Sequence, residues 1–138
     1  MEQMSDKELL MLAAKAYGFG DPQKGLVIWT ESEYPKNSGQ KGALWNYIGH
    51  MDTAQLWNPL ADDGDALRLA VKLKFEIYYQ VDTNGIESGV EVGSIYEPFR
   101  SNESEEHAMR RAIVRSAAEV GEGKLTQDDL MAMFPYRW

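Results

Sequence analysis

Hydrophobic positions along this chain follow two periods, one helical and one of strands. Between Ser5 and Gly18, Leu9, Leu12, Ala13 and Ala16 recur at the spacing of one helical face. Ser5 and Glu8 stand at capping-box spacing, so each can satisfy a backbone N–H of the other's turn. Gly18 and Pro22 are suited to end that helix. Leu26-Val27-Ile28-Trp29 then reads as a short strand of buried type.

Residues 31–55 show no clear period. Pro35, Asn37, Ser38, Gly39 and Gly42 mark turns, and Ala43–Ile48 fits either a strand or a short helical turn. A long irregular connection inside a small domain often carries function.

A second helix is predicted after Trp57-Asn58-Pro59-Leu60. Asp62, Asp63 and Asp65 crowd its first turn and Lys72 and Lys74 its last, as the helix dipole favours. Its apolar face is read as Leu67, Ala70, Val71 and Leu73. Phe75, Ile77, Tyr79 and Val81 then alternate with other residues, which predicts a strand with one buried face. Asp82-Thr83-Asn84-Gly85 predicts a hairpin turn, with a return strand within 89–96 loosened by Gly89 and Gly93.

The third helix is predicted from Asn102 or Ser104 to about Val120. Its stripe is Met109, Ala112, Ile113, Ser116, Ala117 and Val120, with Gly121 and Gly123 stopping it. A short fourth helix is expected from Thr126, with Leu125 and Leu130 at staple positions. This order predicts an α+β fold, a small antiparallel or mixed sheet packed against three to four helices in the manner of an α/β/α sandwich. Residues 1–124 read as one domain, and 125–138 as a C-terminal helix and aromatic tail.

Composition narrows the function classes. A chain of 138 residues, 43% apolar, can bury a sizeable core without disulfides or metals. It has no cysteine, which removes thiol nucleophiles and Cys-ligated metal sites. The net charge of -8 is spread out, with 5 Lys/Arg against 10 Asp/Glu in residues 1–65 and 9 against 12 thereafter. Direct nucleic-acid binding is disfavoured, because phosphate contacts need a basic face. The acidity fits solubility, or a surface that docks on a basic partner or imitates nucleic acid. The opening MEQMSDKELL is acidic where a signal peptide is basic, and no apolar run approaches the roughly 18–20 residues of a membrane span. A cytoplasmic protein is expected, without a membrane partner.

The candidate chemistry is sparse. Asp62, Asp63 and Asp65 are the candidate ligands for Mg²⁺ or Ca²⁺, although calcium-loop spacing is missing and helix capping accounts for the same residues. His50 with Asp52, and His107 with Glu103 and Glu106, have acid–base composition, the second pair being equally a surface salt-bridge set. Gly18-Phe19-Gly20 is no phosphate loop, since no lysine follows at the required spacing. No serine stands in a triad context, so no catalytic residue and no cofactor are assigned. Arg110, Arg111 and Arg115 read as a solvated mixed-charge face among Glu103, Glu105, Glu106 and Glu119. Trp29, Trp45 and Trp57 read as core. The segment Met131, Met133, Phe134, Tyr136, Arg137 and Trp138 is rich in residue types enriched at interface cores. It is the candidate partner-binding segment, either folding back on the domain or filling a partner's groove.

The run Trp57–Leu73, WNPLADDGDALRLAVKL, resembles a segment that recurs in small uncharacterised proteins of tailed bacteriophages and prophages. Residues 107–119, HAMRRAIVRSAAE, resemble the matching C-terminal segment. Together they resemble the phage α/β/α-sandwich domain family over roughly residues 55–121. The resemblance implies a phage accessory protein in the host cytoplasm and implies no reaction. The leading expectation is therefore macromolecular binding to a host or phage protein, with inhibition of a host defence or nucleic-acid-processing factor as its sharpest form. A small metal- or nucleotide-binding enzyme using Asp62, Asp63, Asp65 and His50 is the alternative. A structural homo-oligomer joined through residues 125–138 is the third.

Overall fold

A computed structural model of the chain describes residues 4–18, 27–37, 39, 41–46, 55–80 and 88–123. The first helix, α1, spans Asp6–Tyr17. Ser5 caps it by accepting the Glu8 N–H at 3.2 Å, and its hydroxyl donates to the Glu8 carboxylate at 3.1 Å. Gly18, left-handed at φ 100°, closes the helix with N–H bonds to Ala14 and Lys15 carbonyls.

The strand predicted near 26–29 is β1, Val27–Glu33, longer than its apolar run. It pairs antiparallel with β2, Lys41–Asn46, which pairs in turn with β3, Gln55–Trp57. Much of the aperiodic stretch is thus sheet. In the connection between β1 and β2, the Glu33 carboxylate accepts the N–H groups of Asn37 at 3.0 Å and Gly39 at 2.8 Å.

The second helix, α2, runs Asp63–Leu73 with Asp62 as its cap, accepting the Asp65 N–H at 2.8 Å. It buries Ala66, Leu69, Ala70 and Leu73. Leu67 and Val71, expected on the apolar face, are instead 62% and 66% exposed. Ala66, Leu69, Ala70 and Leu73 complete an i, i+3, i+4, i+7 stripe, and residues one position later lie about 100° around the helix.

A second antiparallel sheet follows, ordered β4-β5-β6 and made of Ile77–Gln80, Gly89–Val92 and Ile95–Pro98. The single return strand expected in 89–96 is therefore two, turning at Gly93 and Ser94. The buried face expected for β4 is also corrected. Phe75, just before the strand, is buried, but Ile77 and Tyr79 are exposed. The third helix, α3, packs against β5 and β6, which leaves β4 at the sheet edge outside that cover.

α3 spans Glu105–Gly121 behind a Ser104 cap that accepts the His107 N–H at 3.0 Å. Its buried surface is wider than the predicted stripe, adding Ala108, Val114 and Ala118. The Ser116 hydroxyl is buried and donates to the Val92 carbonyl. Gly121 does not stop the helix; it is the last helical residue, at the crossing with α1. The Leu12 backbone comes so close there that a Cβ would overlap its carbonyl.

Among the described residues, the core joins the two sheets and the three helices, with Leu10, Leu44, Leu69, Val90, Val92 and Val114 fully buried. The expected α+β class is what the chain forms, with its strands divided between two antiparallel sheets. The predicted fourth helix and the Asp82–Gly85 turn lie outside the described residues. Among the described residues, no helix is long and apolar enough to cross a membrane.

Candidate functional site

The three aspartates at the head of α2 have separate partners. Asp62 caps the helix, and Asp63 receives Arg110 Nη1 of α3 at 2.6 Å. Asp65 is buried and accepts the Asn58 backbone N–H at 3.0 Å and Arg68 Nη2 at 2.7 Å. Asp65 raises the Arg68 pKa through that hydrogen bond. Tyr34 joins the same cluster. Burial first, then the charges of Asp65 and Asp62 and a hydrogen bond to Asp65, push its pKa up to about 12. Among the described residues, no group of three His, Asp or Glu side chains is placed to hold a metal ion.

The arginines of α3 are more than a solvated face. Arg110 also donates from Nε to the Leu60 carbonyl at 2.9 Å, tying α3 to the turn before α2. Arg115 Nη1 reaches the buried Glu97 of β6 at 2.6 Å. His107 keeps its expected place among charges, 3.8 Å from Glu103 and 3.2 Å from Arg111. Trp57 is core, with its ring 6.0 Å from that of Tyr17. Trp29 packs partly against the core and donates to Glu31 at 2.7 Å. His50, Asp52 and the segment Met131, Met133, Phe134, Tyr136, Arg137 and Trp138 lie outside the described residues.

The feature with the clearest capacity for recognition is one the sequence pattern hid. A groove of about 280 Å³ runs between α2, β4 and the first turns of α3. Leu67, Ile77, Tyr79 and Met109 give it an apolar lining. Leu67 and Tyr79 are 62% and 63% exposed, and Val71 one turn further along α2 extends the apolar surface. The Tyr79 ring lies 6.4 Å from that of Phe99, tilted by 45°. Asp63, Glu105 and Glu106 edge the groove, with Arg110 as the cation among them. Arg110 is already bonded to Asp63, so the edge is acidic on balance.

Strand β4 adds a second property. Among the described residues it is an edge strand, and it shows Ile77, Tyr78 and Tyr79 in succession to solvent. Natural edge strands are usually blunted by charges, prolines or bulges, and this one carries none of these over Ile77–Gln80. The sequence signals that could have found it are Leu67 and Val71, spaced i, i+4 beside the Ala66, Leu69, Ala70 and Leu73 stripe, and the unbroken Ile77-Tyr78-Tyr79.

Comparison with protein-family models, with curated proteins and with solved structures gives no match.

Proposed function

We propose that this chain is a bacteriophage or prophage accessory protein that acts by binding a host or phage protein, and that the groove between α2, β4 and α3 is its docking site. The observation that carries the binding reading is the continuity of Leu67, Ile77 and Tyr79 across two elements, all exposed and meeting in one groove. Surface apolar residues scattered singly need no explanation, whereas a joined patch with a polar edge marks an interaction site. The phage assignment rests on the WNPLADDGDALRLAVKL run and on residues 107–119.

Charge selects the occupant. The Asp63, Glu105 and Glu106 edge and the net charge of -8 favour an apolar or aromatic segment flanked by Lys or Arg. Such a segment fits a nucleic-acid-processing factor of the host, whose own surface is basic. Blocking that surface would inhibit the factor without any catalysis by this chain.

The test is retention of proteins from a bacterial lysate on the immobilised chain, beside Tyr79→Glu and Leu67→Glu variants whose melting is unchanged. A protein held by the wild type, released as salt rises and lost with either variant supports the docking site. Equal retention by wild type and variants overturns it. So does a wild type that retains only more copies of itself. The gene neighbourhood tests the phage assignment separately, and placement away from any phage gene removes it.

A further inference from the structure

Strand β4 offers its backbone as well as its side chains, and the phase of the ladder says which residues do so. In an antiparallel pair, residues alternate between those that exchange N–H and C=O bonds with the neighbouring strand and those whose groups point the other way. Gly93 donates to the Glu76 carbonyl at 3.3 Å, so Glu76 and Gly93 form a pair of the bonded kind. The register carries that phase on to Tyr78↔Glu91 and Gln80↔Gly89. Ile77 and Tyr79 therefore turn their N–H and C=O groups away from β5.

The other side of β5 gives the same phase. Phe99 donates to the Ser88 carbonyl at 2.9 Å, which directs Ser88, Val90 and Val92 towards β6 and leaves Gly89 and Glu91 for β4. Among the described residues no strand lies beyond β4. Two N–H donors and two C=O acceptors are thus left to water along its edge.

The side chains of the same two residues line the groove. Ile77 and Tyr79 stand opposite Val92 and Val90, both fully buried, so all four share the helix-facing side of the sheet. α2 packs against α1 and α3, and the groove lies between it and β4. A segment laid along β4 would present every second side chain to Leu67 and Met109 while its backbone completed the ladder.

We infer that the groove takes a segment of its protein partner in extended form, added to the second sheet as the next strand beside β4. The inference rests on the groove being a docking site and names the conformation of what enters it. Backbone bonding holds the segment, and the groove selects apolar side chains at alternate positions. Asp63, Glu105 and Glu106 at the rim select Lys or Arg at the segment's ends, on the same side. A helical segment spends its backbone groups internally and cannot complete the ladder.

Hydrogen exchange followed by NMR tests this on the backbone amides of the full chain. In the free chain, Ile77 and Tyr79 should be at least about 100-fold less protected than Tyr78 and Gln80. The probe is the end-capped peptide Lys-Thr-Val-Thr-Ile-Thr-Arg. Its saturable binding should protect Ile77 and Tyr79, and should weaken about tenfold with Glu in place of its Lys and Arg. N-methylation of the Val and Ile amides should abolish binding for an antiparallel added strand, and N-methylation of the Thr amides for a parallel one. Equal binding by both methylated peptides, lost with Leu67→Glu, overturns strand addition and leaves the groove as a docking site. Binding indifferent to Leu67→Glu removes the groove reading and this inference with it. Protection of Ile77 and Tyr79 in the free monomer overturns the inference, because the chain itself then covers that edge. Protection that grows with chain concentration overturns it too, the occupant then being a second copy. So does the absence of saturable peptide binding at millimolar concentration.

Discussion

Asn58 and Asp65 lock the entrance of α2 to the first sheet. The Asn58 N–H donates to Asp65 Oδ2 at 3.0 Å, while the Asn58 side chain donates to the Gly42 carbonyl of β2 at 2.7 Å. The Asn58 Oδ1 accepts the Leu60 N–H at 2.9 Å, so the buried asparagine satisfies strand, turn and helix together. Pro59 has no N–H to satisfy in that turn. The arrangement gives the Trp-Asn-Pro sequence and the third aspartate a common structural purpose.

Asp65→Ala is therefore expected to cost more than removal of the cap. It leaves the buried Asn58 N–H without an acceptor, at about 2–3 kcal/mol. Asp62→Ala removes an N-cap, at about 1 kcal/mol. Urea unfolding of both variants measures the difference, and equal losses would show that Asp65 is not the hub of this turn.

Tyr34 supplies a pH signature. Its pKa is raised to about 12, first by burial and then by Asp65 and Asp62. The folded state thus holds this proton more tightly than the unfolded state, whose tyrosine titrates near 10. The stabilisation is complete below about pH 10 and is lost as pH rises from there through 12. Tyr34→Phe should flatten the fall in denaturation midpoint across that window. Parallel curves for wild type and variant would remove Tyr34 as the source.

These cases show where the sequence is legible. Ser5, Asp62 and Ser104 each accept a backbone N–H three residues on, so helix starts are written in local chemistry. Residues 43–48 can be read either way because the strand that takes up 43–46 is defined by β1 and β3, partners outside the local sequence. The burial of Leu67, Val71, Ile77 and Tyr79 was misjudged for a related reason. Their side chains are apolar, and their exposure is set by how the helices and the second sheet pack on one another, with α3 lying over β5 and β6. The arginines read as a solvated face turned out to be divided. Arg110 reaches α2 and Arg115 reaches β6, which spacing along α3 alone does not reveal.

Gly121→Ala tests the crossing of α1 and α3. In an exposed helix this change is normally favourable by about 1 kcal/mol, since alanine is the better helix former. Here a Cβ would overlap the Leu12 carbonyl, and backbone cannot rotate away as a side chain can. A loss of about 2–3 kcal/mol is expected as the helices are forced apart. A stabilised variant in thermal unfolding would mean that the two helices separate at little cost.

Leu67 and Leu69 give the sharpest contrast, because they are two residues apart in one helix. Leu69 is fully buried among the core residues, and Leu69→Ala should cost about 3 kcal/mol through lost contacts and the cavity left behind. Leu67 is 62% exposed and lines the groove, so Leu67→Ala should change stability by less than about 0.5 kcal/mol. A partner-binding surface requires this combination, a large apolar side chain that folding does not use. If Leu67→Ala destabilised the chain as much as Leu69→Ala, the leucine would be part of the core in solution and the groove would not be open. If it left stability unchanged while weakening capture of a protein partner, Leu67 would be retained for binding.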